Sequence, residues 1–196
     1  DWMHSRLVNT LGDVMNNPWE HARIERVQAT FDVRYAREIR RLRGVEVLDP
    51  VVDAGERARL RLHLLEENGP EVTRVIDVTM PAELSGKDVE VEVLPGYDVV
   101  PELPAPESLD QLLANESKQS VAPRAVVAQF RVPSQGIAYR GHVTQRLPPF
   151  TLDSLRPQSA DDGPETFPSW SRTVVPLDLY IEGRDKLKIK VRSVVR

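Results

Sequence analysis

The sequence predicts a mostly β protein in two modules: an immunoglobulin-like antiparallel β-sandwich over residues 21–97, and a smaller β-rich module with short helices over 107–196. Three observations carry that expectation. Apolar and polar residues alternate with a period of two in five or six short runs of the first segment. The chain's 16 prolines fall in clusters, which favours strands joined by rigid turns over a helical bundle. Four of them lie between Pro95 and Ser108 (PGYDVVPELPAPES), and this marks residues 98–106 as a stiff linker.

Each element has its own reason. Trp2, Leu7, Leu11 and Val14 fall close to helical spacing, so residues 3–16 read as a short amphipathic helix ended by Asn16-Asn17-Pro18. Val27 to Tyr35 alternates as a half-buried strand. The stretch RYAREIRRLR (Arg34 to Arg43) that follows contains five arginines. Tyr35, Ile39 and Leu42 could line one side of a basic helix capped by Gly44. The change of apolar parity between Ile39 and Leu42, with strands on both sides, favours a bulged or tightly turned strand whose arginines face water.

Leu60, Leu62 and Leu64 then alternate with Arg59, Arg61 and His63. Ile76, Val78 and Met80 alternate with Val75, Asp77 and Thr79, and Val89, Val91 and Val93 with Asp88, Glu90 and Glu92. Past the linker, Ser108 with Gln111 three residues on forms a loose capping box for a helix over Leu109–Asn115. Ala125–Val132 and Ile137–Gln145 read as a hairpin about the turn Pro133–Gly136. A helical turn is expected at Thr151–Leu155 and a loop over Arg156–Pro168. Thr173–Ile181 and Lys186–Val194 form a closing hairpin. Its last strand puts Lys186, Lys188, Lys190 and Arg192 on the wet side, a common way to blunt an exposed edge.

Charge excludes a dedicated polyanion binder. Residues 21–97 hold 12 Lys and Arg against 15 Asp and Glu, a net of −3, and residues 107–196 hold 13 against 10, a net of +3. The basic row Arg57, Arg59, Arg61 can be set against the acidic row Asp88, Glu90, Glu92, whereas a nucleic-acid module accumulates unneutralised cations on one face. No apolar run reaches the 18 or so residues of a membrane span. The first residues are no signal peptide and do not begin with methionine, so residues 1–20 read as the helical tail of an upstream domain.

Chemistry finds little support. Cysteine is absent, which removes disulfides, thiolate zinc sites and thiol nucleophiles. His4, His21, His63 and His142 are too scattered for a metal motif, and no calcium loop, phosphate loop or nucleophile elbow occurs. No cofactor and no catalytic residue is expected. Ser134 and His142 lie eight residues apart, as a turn serine and a strand histidine. What remains is a partner-binding surface in the second module, with Tyr139 and Trp170 as aromatic anchors beside Arg140 and Arg172 and with Phe167 close by. The competing reading places these rings in that module's core.

The stretches NNPWEHARIERVQATFDVRY, IRRLRGVEVLDPVVDAGERARLRLHLL, VTMPAELSGKDVEVEVLPG, SLDQLLAN and RTVVPLDLYIEGRDKLKIKVR together resemble the C-terminal region of large bacterial proteins that carry a SpoIVB-type serine peptidase domain nearer their N-terminus. The resemblance spans nearly the whole chain, but no segment matches the peptidase domain, so no catalytic residue carries over. It implies an extracytoplasmic setting and an accessory role beside a peptidase. The expected function is therefore a non-enzymatic interaction or scaffolding segment of a larger exported bacterial protein with a protein partner. A regulatory or substrate-presenting part of such a peptidase is the first alternative. A glycan-binding module is the second, and it requires Tyr139 and Trp170 on one face.

Overall fold

The computed structural model describes residues 2–30, 38–66, 69–103, 105–118, 121–139, 142–147 and 165–193. The chain opens with helix α1 (Trp2–Met15) and then runs without regular structure through residue 30. The expected strand therefore does not form at residues 27–30, and its remainder lies outside the described residues. Four strands follow: β1 (Ile39–Val47), β2 (Val51–Asp53), β3 (Arg57–Glu66) and β4 (Glu71–Thr79). A 3-10 turn at Ala82–Leu84 leads into β5 (Asp88–Pro95), and a second at Gly96–Asp98 leaves it. Helix α2 (Leu109–Lys118) precedes β6 (Ala125–Tyr139), β7 (His142–Leu147), β8 (Glu165–Pro176), β9 (Tyr180–Glu182) and β10 (Asp185–Arg192). The protein is mostly β.

Alternation decides the faces. Leu60, Leu62 and Leu64 of β3 are fully buried, as are Val91 and Val93 of β5 and Ile189 and Val191 of β10, and each such side chain contributes roughly 1.5–3 kcal/mol by leaving water. The strands form two sheets. The first has the order β4-β3-β1-β9 and the second β2-β10-β5-β6-β7, with β8 on the other edge of β6. Leu42, Leu62 and Val78 of the first sheet belong to the same apolar core as Val91, Phe130 and Ile189 of the second.

That shared core corrects the expected division at residues 98–106. β10 pairs with β5 and β2, β9 pairs with β1, and β6 pairs with β5, so both sheets draw strands from either side of the proline-rich stretch. Strands β1–β5 do not close two sheets among themselves, because β2 reaches β5 only through β10. The reason is energetic. The inward row of β5 would face water on one flank without β10, and the row Leu187, Ile189, Val191 supplies the missing neighbour. Nor do residues 99–103 run free as a linker. Val99 is buried against Leu94 and Val127 on the outer side of the second sheet, and the Tyr97 hydroxyl donates to the Ile181 carbonyl at 2.7 Å.

The arginine-rich stretch resolves as a bulged strand over its described part. Arg43 is the extra residue between Leu42 and Gly44, so Leu42 and Val45 both point inward despite their odd spacing. The Val45 N–H at this bulge donates to Asp185 Oδ2 at 2.7 Å, tying β10 to the opposite sheet.

Other expectations need correcting. Residues 133–136 form no hairpin turn: β6 runs through them, and the irregularity is absorbed as a bulge between Arg131 and Gln135. Pro133 lacks an N–H to pair and sits in that bulge. The hairpin lies further on, where Tyr139 pairs with His142. Glu165–Pro168 belongs to β8 rather than to a loop, while the helical turn expected at 151–155 lies outside the described residues. The expected closing hairpin of Thr173–Ile181 with Lys186–Val194 does not form: the first run is divided between β8 and β9, and at Gly183 (φ 92°) the chain turns from one sheet to the other. A Cβ there would also sit 3.2 Å from the Leu42 carbonyl oxygen.

Candidate functional site

On the outer face of the first sheet, Arg43, Arg59, Arg61 and His63 all find acidic partners. Arg59 donates to Asp49 through Nε at 2.9 Å and through a terminal nitrogen at 3.0 Å, a bidentate pair. Arg61 pairs with Glu46 at 2.8 Å and Arg43 with Glu71 at 3.1 Å, and His63 Nδ1 lies 2.6 Å from the same Glu71. The Arg59 hydrogen bond holds the Asp49 carboxyl below its ordinary value. The His63 and Arg43 hydrogen bonds do the same for Glu71.

The lysine stripe also has partners. β10 is flanked by β5 over Asp185–Lys190 and by β2 over Lys190–Arg192, and Lys186, Lys188 and Lys190 stand opposite Glu92, Glu90 and Asp88 of β5. Lys186 Nζ reaches Glu90 at 3.1 Å. The acidic row of β5 thus answers the lysines of β10, while Arg61 and Arg59 of β3 find acids on β1 and on the β1–β2 connection.

The outer face of the second sheet is different. Trp170 of β8 stands opposite Arg131 of β6 and is only partly buried. The guanidinium of Arg131 lies 5.2 Å from its ring centroid and that of Arg172 6.0 Å away, both within cation–π range. Arg172 Nε donates to Gln129 Oε1 at 3.1 Å, and a terminal nitrogen donates to the Val100 carbonyl at 3.2 Å. Gln129, 8% exposed, passes the chain on by donating from Nε2 to Glu92 Oε2 at 3.0 Å. The strap 99–102 is therefore held to this face by polar as well as apolar contacts.

Glu102 completes the cluster. Burial raises its carboxyl above the ordinary carboxylate range, and the Arg172 charge, a hydrogen bond with Trp170 and the Arg131 charge pull the other way. Beside this cluster opens a groove of about 580 Å³, within the usual size of a ligand pocket. Trp170, Arg131 and Gln129 form one wall, with Glu90, Lys87 and Lys186 across from them.

The four residues expected at a partner surface fare unequally. Trp170 and Arg172 come together at the groove's end. Tyr139 pairs with His142 at the far end of β6, eight residues beyond Arg131, which at the rise of a strand is on the order of 20 Å or more. Arg140 lies outside the described residues. Phe167 is opposite Gly136, where a Cβ would come within 2.3 Å of its ring, so that glycine makes room for an aromatic packed on the strand. The residues that sequence reasoning missed are Gln129, Arg131 and Glu102. Arg131 carried a signal, since the run Gln129, Arg131 is the polar parity of a strand otherwise apolar. Glu102 carried none.

Among the described residues no three His, Cys, Asp or Glu side chains gather as metal ligands would, and no helix is long and apolar enough to cross a membrane. No family model, no curated protein and no solved structure matches the chain.

Proposed function

We propose that this chain is a non-enzymatic interaction and scaffolding segment of a larger exported bacterial protein, recognising a protein partner through the outer face of its second sheet. In this reading the two sheets are an immunoglobulin-like sandwich, with their antiparallel strands over one core as the support. The observation that carries the function is the groove ending at Trp170, with its indole flanked by two guanidinium groups. Trp and Arg dominate the energetic centres of protein interfaces, because each combines a large contact area with a directional polar group. On the opposite face Arg43, Arg59, Arg61 and His63 are already paired with carboxylates. The exported setting and the tie to a SpoIVB-type peptidase rest on the resemblance of the chain's segments alone. A glycan platform needs two rings side by side, and Tyr139 and Trp170 are not brought together.

The test is photo-cross-linking in the source cells with benzoylphenylalanine placed at Lys87, beside the groove, and at Thr73 on the outer face of the first sheet. A discrete adduct from position 87, absent from position 73 and lost in Trp170→Ala, supports the reading. Equal adducts from both positions, or none, reject it. An adduct joining position 87 to a peptidase domain of the same precursor would instead favour the regulatory role.

A further inference from the structure

The groove has a structural origin that points to the form of its occupant. β5 and β6 pair antiparallel only from Glu92↔Gln129 to Pro95↔Val126. Continuing that register would set Glu90 against Arg131 and Asp88 against Pro133. Pairing stops there for visible reasons: Pro133 has no N–H to give, Glu90 is drawn to Lys186 on the other side, and Arg131 lies over Trp170. β7 rejoins the same flank of β6 only at Gln135↔Leu147. Among the described residues, nothing pairs with this flank of β6 between these two contacts, although β8 continues on the opposite flank through Arg131↔Trp170, and nothing pairs with the first half of β5 on its β6 side. The groove lies in this break. Its lining includes inward-facing Val89 and Val132 as well as outward-facing Glu90 and Arg131, so it opens into the thickness of the sheet and is not a dent on its surface.

We infer that the break between β5 and β6 receives an extended polypeptide segment of a partner protein as an added strand. This rests on the interaction reading above and specifies its mode. Unpaired strand flanks bind extended peptides through main-chain hydrogen bonds, with alternate side chains setting specificity. Asp88 to Val91 spans roughly 13 Å, room for about four residues. Because β5 and β6 are antiparallel, the added strand is parallel to one and antiparallel to the other, and this sheet already contains a parallel pair in β10 and β2. Inward positions meet Leu84, Val89 and Val132 and select small apolar side chains. Outward positions meet charges of both signs: Arg131 selects Asp or Glu at one, and Asp88 selects Lys or Arg two residues away.

The experiment uses a pool of fluorescein-labelled octapeptides, acetylated and amidated, with Val, Ala or Thr at alternate positions and Lys and Glu permuted between them. Binding to the whole chain is read by anisotropy. The tightest peptide should lose at least tenfold in affinity when alternate backbone nitrogens are methylated, because that removes donors and leaves side chains in place. Amide hydrogen exchange should slow at residues 88–91 and 130–132 when it binds. Arg131→Glu should weaken the same peptide by about tenfold, and exchanging that peptide's Glu for Lys should restore it. Equal binding of the N-methylated peptide overturns strand addition while leaving the outer-face interaction intact. Absence of binding by any peptide, with the Lys87 adduct still formed, also overturns strand addition and spares the interaction reading. Self-association with the same exchange protection in the absence of peptide would overturn the partner assignment, since a second copy would then fill the break.

Discussion

On the outer face of the first sheet Arg59 lies against Asp49 and Arg61 against Glu46, whereas on the outer face of the second Arg131 and Arg172 stack on an indole. The two faces use the same residue types on strands of the same alternation. They differ in where the countercharges lie. On the first, Glu46 faces Arg61 in register, Asp49 meets Arg59 from the β1–β2 connection and Glu71 reaches Arg43 from β4, so these three cations close locally. On the second, Glu90 is taken by Lys186 and Glu92 by Gln129, and the arginines of β6 and β8 turn to an aromatic ring, the Gln129 amide, a backbone carbonyl and the partly buried Glu102. On the proposed reading, a face that closes its charges locally offers a partner little, and one that spends its acids elsewhere leaves cations beside an aromatic ring for it.

The comparison presumes that both faces belong to one cooperative unit, and the largest predicted effect tests this. Leu62 is fully buried in the first sheet within the common core, so Leu62→Ala should cost about 2–5 kcal/mol. With Trp2→Phe and Trp19→Phe as background, Trp170 becomes the sole tryptophan and reports on the second sheet. Its urea transition should move with the cavity in the first. A Trp170 transition that stays in place would mean the faces stand on separate modules.

A smaller effect compares the polar contacts themselves. Gln129 bridges Glu92 and Arg172 from a nearly buried position. Gln129→Leu removes both bonds and should cost about 1–3 kcal/mol, because the charged partners stay behind partly desolvated. Arg61→Ala breaks an exposed pair on the other face and should change stability by no more than about 1 kcal/mol. Similar losses from the two substitutions, measured by equilibrium denaturation, would erase the distinction between the faces.

How much of this was legible before the structure depends on distance along the chain. The strands of the first segment were readable because Leu60, Leu62, Leu64 and Val89, Val91, Val93 repeat at the side-chain period of a strand. The Ser108 cap was readable too, and the Gln111 N–H does donate to Ser108 Oγ at 3.2 Å. Pairing was not, because local alternation fixes which way a side chain points but not which strand lies beside it. Proline-rich spacing suggested two modules, yet the chain uses that stretch as a strap across a sheet. One long-range signal was available and misassigned. The acidic row Asp88, Glu90, Glu92 has an equally spaced cationic row in Lys186, Lys188, Lys190 as well as in Arg57, Arg59, Arg61, and only the first choice matches the register. At the site, Trp170 and Arg172 stood out by residue type. Arg131 and Glu102 did not, since their roles arise from β6 passing straight through Pro133 and from the strap folding back.

The smallest predicted effects sharpen the comparison through pH, because the two faces contain carboxyls displaced in opposite directions. Asp49 is lowered, chiefly by the side-chain hydrogen bond from Arg59, so its contribution is present above the ordinary carboxylate range near about 4 and is lost as pH falls through its folded value. Glu102 is raised, chiefly by burial, so the folded state favours its protonated form, and that contribution is present at low pH and lost as pH rises through the raised value. Asp49→Asn should therefore lower the urea midpoint at pH 7, with the loss shrinking toward pH 3. Glu102→Gln retains an acceptor for Trp170 without a charge and should leave the midpoint unchanged or raise it at pH 7, with the gain vanishing toward pH 3. Opposite signs at neutral pH mark one face as closed around its charges and the other as strained by one. If Glu102→Gln instead destabilises at pH 7, the attraction of Arg172 and Arg131 outweighs the burial. The strap would then be clamped to the second sheet by a paired carboxylate of the kind found on the first.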